Sequence, residues 1–492
     1  MSADGVEKPH LTLRLLPCGM CDSRHLTDSD LINHRTQQHP VEVCHYAASI
    51  GNLNQLEMVA KLHPECLNSL DQNGMPSLHL AASNGHFDAA EFLLNFGAEV
   101  NLVAPLVGLT ALHIAAGNNH LEIVKLLLAR GARVDELSQW GTALHIAGGS
   151  GYAAIVQVLL SANADPNIVR SVDGSTALHY AVRKGMEGRD SALALLEGGV
   201  RPNAQNHQGE AAMHLAVGFG LKEVVKILIA KGGDFELLWN CEGYSPIHLA
   251  AFHGQAEILD LFLRSSTNPE ASLRLRNGIG ENLLHMAVRN GHKAACEVLL
   301  KAGADPNELR ADGLGPVHFV ESGEILLLLK SSRRCNIHQS TSKGFSALNL
   351  AIGRGNREVG GLLIRFGADV NACDGTGYSP LNLAMSNADE NFVGMLVTRG
   401  ADCNLRDRRG NSPAGWIPNY VTKQLRLLQA LRSYGANLNG MNEDEKERIK
   451  AIEDAARDLT RAGTTNMDNV NQLRRRSGKK SVNFDLDGIS EE

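Results

Sequence analysis

Aromatic side chains are scarce: Phe, Tyr and Trp together make up 4% of the 492 residues. A fold assembled around ring clusters is excluded, and the 49 glycines point instead to Ala- and Leu-lined elements joined by turns. Long apolar runs are missing too. The densest is Ile325 to Leu329, far short of the ~20 residues that a membrane-spanning helix needs. The start, Met1-Ser2-Ala3-Asp4-Gly5, has no basic stretch followed by an apolar core. Seven of the nine cysteines are scattered singly, so no disulfide framework is expected. Only Cys18 and Cys21 are close. A net charge of -7 excludes a global attraction to nucleic acid or an anionic membrane. No nucleophile–base–acid motif and no glycine-rich phosphate loop is recognisable, which argues against an enzyme. A hydrophobic fraction of 43% nevertheless supports a folded chain, expected to be soluble and cytoplasmic.

What the chain does have is a period. Thr110-Ala111-Leu112-His113, Thr142-Ala143-Leu144-His145 and Thr176-Ala177-Leu178-His179 are copies of one tetrapeptide. Weaker copies start at Pro76, Ala211, Ser245, Asn282, Gly315, Ser346, Ser379 and Ser412, roughly 31 to 37 residues apart, the range of a helix-pair solenoid. Thr110 is placed to cap a first helix, and His113 three residues on can reach back as in a capping box. Ala115 and Ala116 keep that helix slim. Ile123, Val124, Leu126 and Leu127 supply the apolar face of a second helix, which Gly131 ends. Histidines a whole repeat apart cannot converge on one metal ion, so they read as structural.

This unit resembles the ankyrin repeat, matched most closely by Gly74 to Asn101, Gly174 to Asn203, Gly243 to Leu263 and Gly344 to Asn371. The resemblance covers about residues 41 to 440 and implies an all-α solenoid of helix pairs with short β-turn tips, a protein-binding architecture. Between residues 313 and 343 the repeat is short. Pro316 to Gly323 leads into Ile325–Leu329 about three residues early, so a bend or weak joint is expected between a block at 41–312 and another at 344–440. Trp140, Trp239, Tyr244, Phe345 and Tyr378 fall at the tips, where they either stack between successive turns or meet a partner. Trp140 and Trp239 are the stronger candidates for partner contact.

Ahead of the repeats, Cys18, Cys21, His34 and His39 follow the pattern C-x(2)-C-x(12)-H-x(4)-H. With Leu16 and Leu31 at the usual apolar positions, residues 11–40 resemble a two-cysteine, two-histidine zinc finger, which implies a small ββα unit holding one zinc. His25 stands where that family places an aromatic. A single finger with Thr27, Asp30 and Asn33 at the base-reading positions and few flanking cations argues against sequence-specific DNA binding.

After residue 440 the repeat stops. Asn442 to Glu445 can open a helix over 441–462 with Ile449, Ile452, Ala456 and Leu459 on one stripe, suited to capping the last repeat. Residues 463–492 have a polar composition that predicts disorder. Within them, Arg474-Arg475-Arg476-Ser477 resembles a basophilic kinase site, and the clustered cations from Arg474 to Lys480 resemble a nuclear import signal. Lys480-Ser481-Val482-Asn483-Phe484 resembles the RVxF motif that docks the type 1 protein phosphatase catalytic subunit. In that motif Val482 and Phe484 would fill two apolar pockets beside an augmented sheet edge, and phosphorylation at Ser481, more than at Ser477, would oppose docking. The myosin phosphatase targeting subunits pair such a motif with ankyrin repeats but place it before the array. The expected function is a non-enzymatic adaptor that recruits a phosphatase; the alternative is a nuclear, nucleic-acid-associated regulator.

Overall fold

The computed structural model describes residues 37, 39–239, 242–332, 335–416, 421–434 and 443–461. These form helix pairs joined by turns. Among the described residues, extended backbone is limited to isolated bridges at the turns, such as Ala104 with Leu109 and Trp239 with Tyr244. The chain divides into two compact units, the first ending at Val200 and the second beginning at Arg201. Cys18, Cys21, His25 and His34 of the expected finger lie outside the described residues, as do Ser477, Ser481, Val482 and Phe484.

In the first unit, helix pairs run Pro40–Ile50 with Leu53–Leu62, Ser77–Asn84 with Phe87–Asn95, and Ala111–Gly117 with Leu121–Ala129. Ala143–Ser150 with Ala153–Ser161, and Ala177–Arg183 with Arg189–Glu197, complete it. Ala115 and Ala116 are fully buried, because only side chains this small let consecutive leading helices approach. Ile123, Val124 and Leu127 bury the inward stripe of the trailing helix.

The tetrapeptide histidine does two jobs. The Thr110 backbone N–H donates to His113 Nδ1 at 3.2 Å, while the His113 N–H donates to Thr110 Oγ1 at 3.4 Å. A backbone N–H can only donate, so Nδ1 is the acceptor and the ring proton sits on Nε2. That Nε2–H then donates to the Glu136 carbonyl of the following turn at 3.0 Å. The same bridge runs from His79 to Leu109 at 3.0 Å and from His145 to Ser175 at 3.2 Å. Pro76 has no N–H to give, and His79 Nδ1 is accordingly buried with no hydrogen-bond partner among the described residues.

The second unit repeats the plan except at His248, whose Nε2 is buried without a hydrogen-bond partner among the described residues. His214 bridges to Leu237 at 3.0 Å, His285 to Leu314 at 3.1 Å and His318 to Gln339 at 3.1 Å. In the short repeat the leading helix is a single 3-10 turn, Pro316–Phe319, followed directly by Gly323–Ser331. Nearby, the fully buried Glu281 carboxylate is held between Arg289 and Arg310, each at 3.0 Å. In the next two repeats asparagine replaces the histidine. Asn349 and Asn382 keep the cap, their N–H groups donating to Ser346 Oγ and Ser379 Oγ at 3.2 Å. Their Nδ2 groups are buried without a partner among the described residues, because the shorter side chain does not cross to the following turn.

The last repeat, Pro413–Trp416 with Val421–Ser433, has Gly415 at the histidine position and no ring to offer. Its cap is completed from elsewhere. The helix Glu443–Arg461 packs on Val421–Ser433, burying Ile449 and Ile452. It delivers the buried Glu445, whose Oε1 accepts from the Ser412 N–H at 2.7 Å. A side chain at residue 415 would collide with this carboxylate, since a Cβ there would lie 2.8 Å from Oε1.

Burial lowers the pKa of His79, His214, His248 and His285 to about 4. The folded value is below the unfolded ~6.5, so the unfolded chain binds more protons between these limits. This contribution to stability is fully present above pH 6.5 and is lost as pH falls toward 4. Thermal melting should therefore drop most steeply between pH 6.5 and 4. Replacing His214 and His285 by Asn, the residue the chain uses at 349 and 382, should flatten that interval; an unchanged slope would remove the histidines as its cause.

Candidate protein-binding surface

The turn preceding each leading helix projects from the helix pairs, and its backbone is tied down locally. At the second tip Ala104 N–H donates to Leu109 O at 2.9 Å, and Asn101 Oδ1 accepts from Arg133 N–H of the following tip at 2.7 Å. With the backbone satisfied, the side chains at the tip are free to face outward. In the first unit they are apolar where solvent contact favours polar groups. Leu106 is 72% exposed, Val172 66%, Leu137 57% and Trp140 40%, with Leu70, Val103 and Val169 also exposed. Recurrence at successive tips makes them a row rather than scattered single residues. Acidic groups are interspersed, among them Asp71, Glu99, Asp135 and Asp165. In the second unit Leu238, Ile279 and Leu309 occupy the corresponding turns.

Trp140 combines both roles anticipated for the tip aromatics. The Arg170 guanidinium of the following tip lies 5.7 Å from its ring centroid, and Arg170 Nε donates to the Gln139 carbonyl at 2.9 Å. Tyr180 holds Arg170 from behind: Arg170 Nη1 donates to the Tyr180 hydroxyl at 2.5 Å, and that hydroxyl donates to Asp173 Oδ2 at 2.7 Å. Burial, reinforced by this bond to Asp173, raises the Tyr180 pKa. Arg170, Asp173 and Tyr180 carry no repeat-wide pattern, so sequence reasoning had no signal for them.

Trp239 is half-buried, its ring 5.8 Å from that of His214 in the preceding layer, an inward stacking position. Tyr244 and Phe345 are half-buried as well. Tyr378 takes the stacking alternative: it is buried edge-on against Trp416, the ring centroids 4.5 Å apart. His39, the one expected zinc ligand among the described residues, is the N-cap of Pro40–Ile50, with Nδ1 3.9 Å from Glu42 Oε1. Among the described residues no cluster of three His, Cys, Asp or Glu side chains could hold a metal ion, and no helix is long and apolar enough to cross a membrane.

The family described as "Ankyrin repeats (3 copies)" matches residues 44–137, 133–206, 185–273, 213–310 and 317–407. The chain is an ankyrin-repeat protein. Ankyrin repeats are modules of protein–protein interaction, in keeping with the apolar tips. Over 205 residues, 40% of this chain, it is 33% identical to the B-cell lymphoma 3 protein homolog of Mus musculus and covers 45% of that protein. It is 31% identical over 173 residues to the nuclear factor NF-kappa-B p105 subunit of Gallus gallus, matching 34% of this chain and 17% of that one. The matched stretch thus spans under half the length of these relatives. Among solved structures, the ankyrin repeat domain of human ASB11 aligns with 46% of this chain and 98% of its own at 28% identity, with a TM-score of 0.40.

Arg170 ties two tips together, whereas Trp140 offers its outer face. Arg170→Ala should destabilise the chain by about 1–2 kcal/mol through the lost carbonyl bond and cation–π contact. It should also shift Trp140 fluorescence to longer wavelength, with melting and emission spectra as the measurements. Unchanged emission would show that the ring does not sense the guanidinium.

Proposed function

We propose that this ankyrin-repeat protein is a non-enzymatic scaffold that grips a protein partner on the apolar tips of its first unit and recruits a second protein through its tail. The observation that carries this reading is the row formed by Leu106, Leu137, Trp140 and Val172 at successive turns. Large apolar side chains held in water contribute to binding when a partner covers them. Surface substitutions there leave the core intact. Leu106→Asp combined with Leu137→Asp should therefore leave the melting temperature within a few degrees of wild type while abolishing capture of the partners identified by affinity purification and mass spectrometry. Equal capture by both proteins overturns the reading.

For the tail, the second protein is the type 1 phosphatase catalytic subunit, docked through Val482 and Phe484. The support is the basic-then-acidic setting of Lys480-Ser481-Val482-Asn483-Phe484. Co-precipitation should be lost when both Val482 and Phe484 become Ala and should fall sharply with Ser481→Glu, with Ser477→Glu milder. Recovery of phosphatase by the double-alanine protein would leave the basic cluster as an import signal. That second reading, a nuclear location, is favoured by Arg474 to Lys480 and by the likeness to a protein named as a nuclear factor.

For residues 11–40, zinc is the proposed ligand, held by Cys18, Cys21, His34 and His39. Two thiolates and two imidazoles at this spacing suit a tetrahedral ion, and so short a segment has little apolar surface to fold on otherwise. The full chain should bind one zinc per molecule, measured by metal analysis after dialysis, and Cys18→Ser with Cys21→Ser should bind none. Zinc retained by that variant would place the metal elsewhere.

A further inference from the structure

In the second unit, on the faces of the trailing helices Gly323–Ser331, Arg357–Arg365 and Glu390–Val397, lies an open groove of about 550 Å³. Its floor is Gly361, Leu362 and Met395, and Leu327, 50% exposed, stands at one edge. The floor depends on an unusual pair. Gly360 and Gly361 sit mid-helix, where each glycine costs roughly 1 kcal/mol relative to alanine. Gly360 is required by packing, because a Cβ there would lie 2.3 Å from the buried Phe392 ring. Gly361 has no such reason: a Cβ would meet only Met395 Sδ, at an ordinary 3.6 Å. What the missing side chain at 361 provides is an open floor.

The rim is net positive. Arg365 and Arg399 line the groove; Lys330, outside the lining but one turn beyond Leu327 on the same helix, lies over the Phe366 ring at 5.9 Å. Arg357 is paired with Asp389 at 3.0 Å, and Glu358 is the one carboxylate lining the groove. An apolar floor with a cationic rim suits a segment that alternates apolar and acidic residues. The chain carries one: Phe484-Asp485-Leu486-Asp487-Gly488-Ile489-Ser490-Glu491-Glu492. In an extended strand Phe484 and Leu486 fall on one side and Asp485 and Asp487 on the other. Reach is not a constraint. Helix Arg357–Arg365 packs on Glu390–Val397, which packs on Val421–Ser433, which packs on Glu443–Arg461, so Gly361 is about 30 Å from the last described helix at ~10 Å per helix. The 22 residues between Arg461 and Phe484 can span at most about 75 Å.

We propose that residues 484–492 dock in this groove of their own chain, with Phe484 and Leu486 over Gly361 and the carboxylates against Lys330, Arg365 and Arg399. The docking stands whether or not a phosphatase uses the tail, and its test involves no phosphatase. The full chain is treated with a zero-length carbodiimide cross-linker at low ionic strength, and Lys330 linkages are mapped by mass spectrometry. Wild type should give intramolecular links from Lys330 to Asp485 or Asp487, reduced at least fivefold in Leu486→Ser with Ile489→Ser and in Gly361→Leu. The tail variant changes nothing in the described fold. Gly361→Leu should melt no lower than wild type, since it replaces a mid-helix glycine. Hydrogen exchange over 357–365 and 390–397 should quicken in the tail variant. Links confined to cross-linked dimers, equal yields in wild type and tail variant, or unchanged exchange would each overturn the proposal.

Discussion

At His113 and the repeats built like it, one imidazole in one protonation state joins consecutive layers. Because Nδ1 receives a backbone N–H at the cap, Nε2 must carry the proton, and that proton closes the hydrogen bond to the turn of the following layer. Local folding of one tetrapeptide thereby determines whether its neighbour can attach. The small alanines act in the same direction, since a ring can bridge layers only when consecutive helices lie close. Capping, tautomer and stacking are thus a single constraint, and burial keeps rings such as His214 neutral so as to satisfy it.

Where that constraint is relaxed, the structure changes character. Asn349 and Asn382 hold their own helices but do not tie to the next turn, so this part of the second unit relies more on apolar packing. The open groove lies over these repeats, where Gly360 and Gly361 also thin the trailing helix. In the first unit the histidine bridges are kept, and each tip is a well-held platform for an apolar side chain.

Much of the fold was legible in the sequence because the period is written in residue types with fixed mechanical roles. The cap at Thr110, the reach of His113, the helix end at Gly131 and the shortened repeat before Ile325 all follow from short-range geometry. The tip aromatics were less legible, since periodicity says where a residue falls and not which way its ring turns. Trp140 faces outward under Arg170, Trp239 leans on His214, and Tyr378 is buried against Trp416. Least legible were contacts made by residues belonging to no repeat pattern. Glu445 read as part of a helix start, but its carboxylate serves a backbone N–H 33 positions away, and the open floor at Gly361 depends on a neighbouring helix.

That placement of Glu445 also bears on how long the array can be. Each repeat leaves behind a surface on which another could be added, so a solenoid needs something to halt its growth. Here the halt is chemical as well as steric. Gly415 offers no ring to reach forward, and the space beside it is taken by a carboxylate that already satisfies Ser412. A further layer would find no imidazole proton to receive at residue 415, and the helix Glu443–Arg461 already covers Val421–Ser433, the face on which that layer would pack.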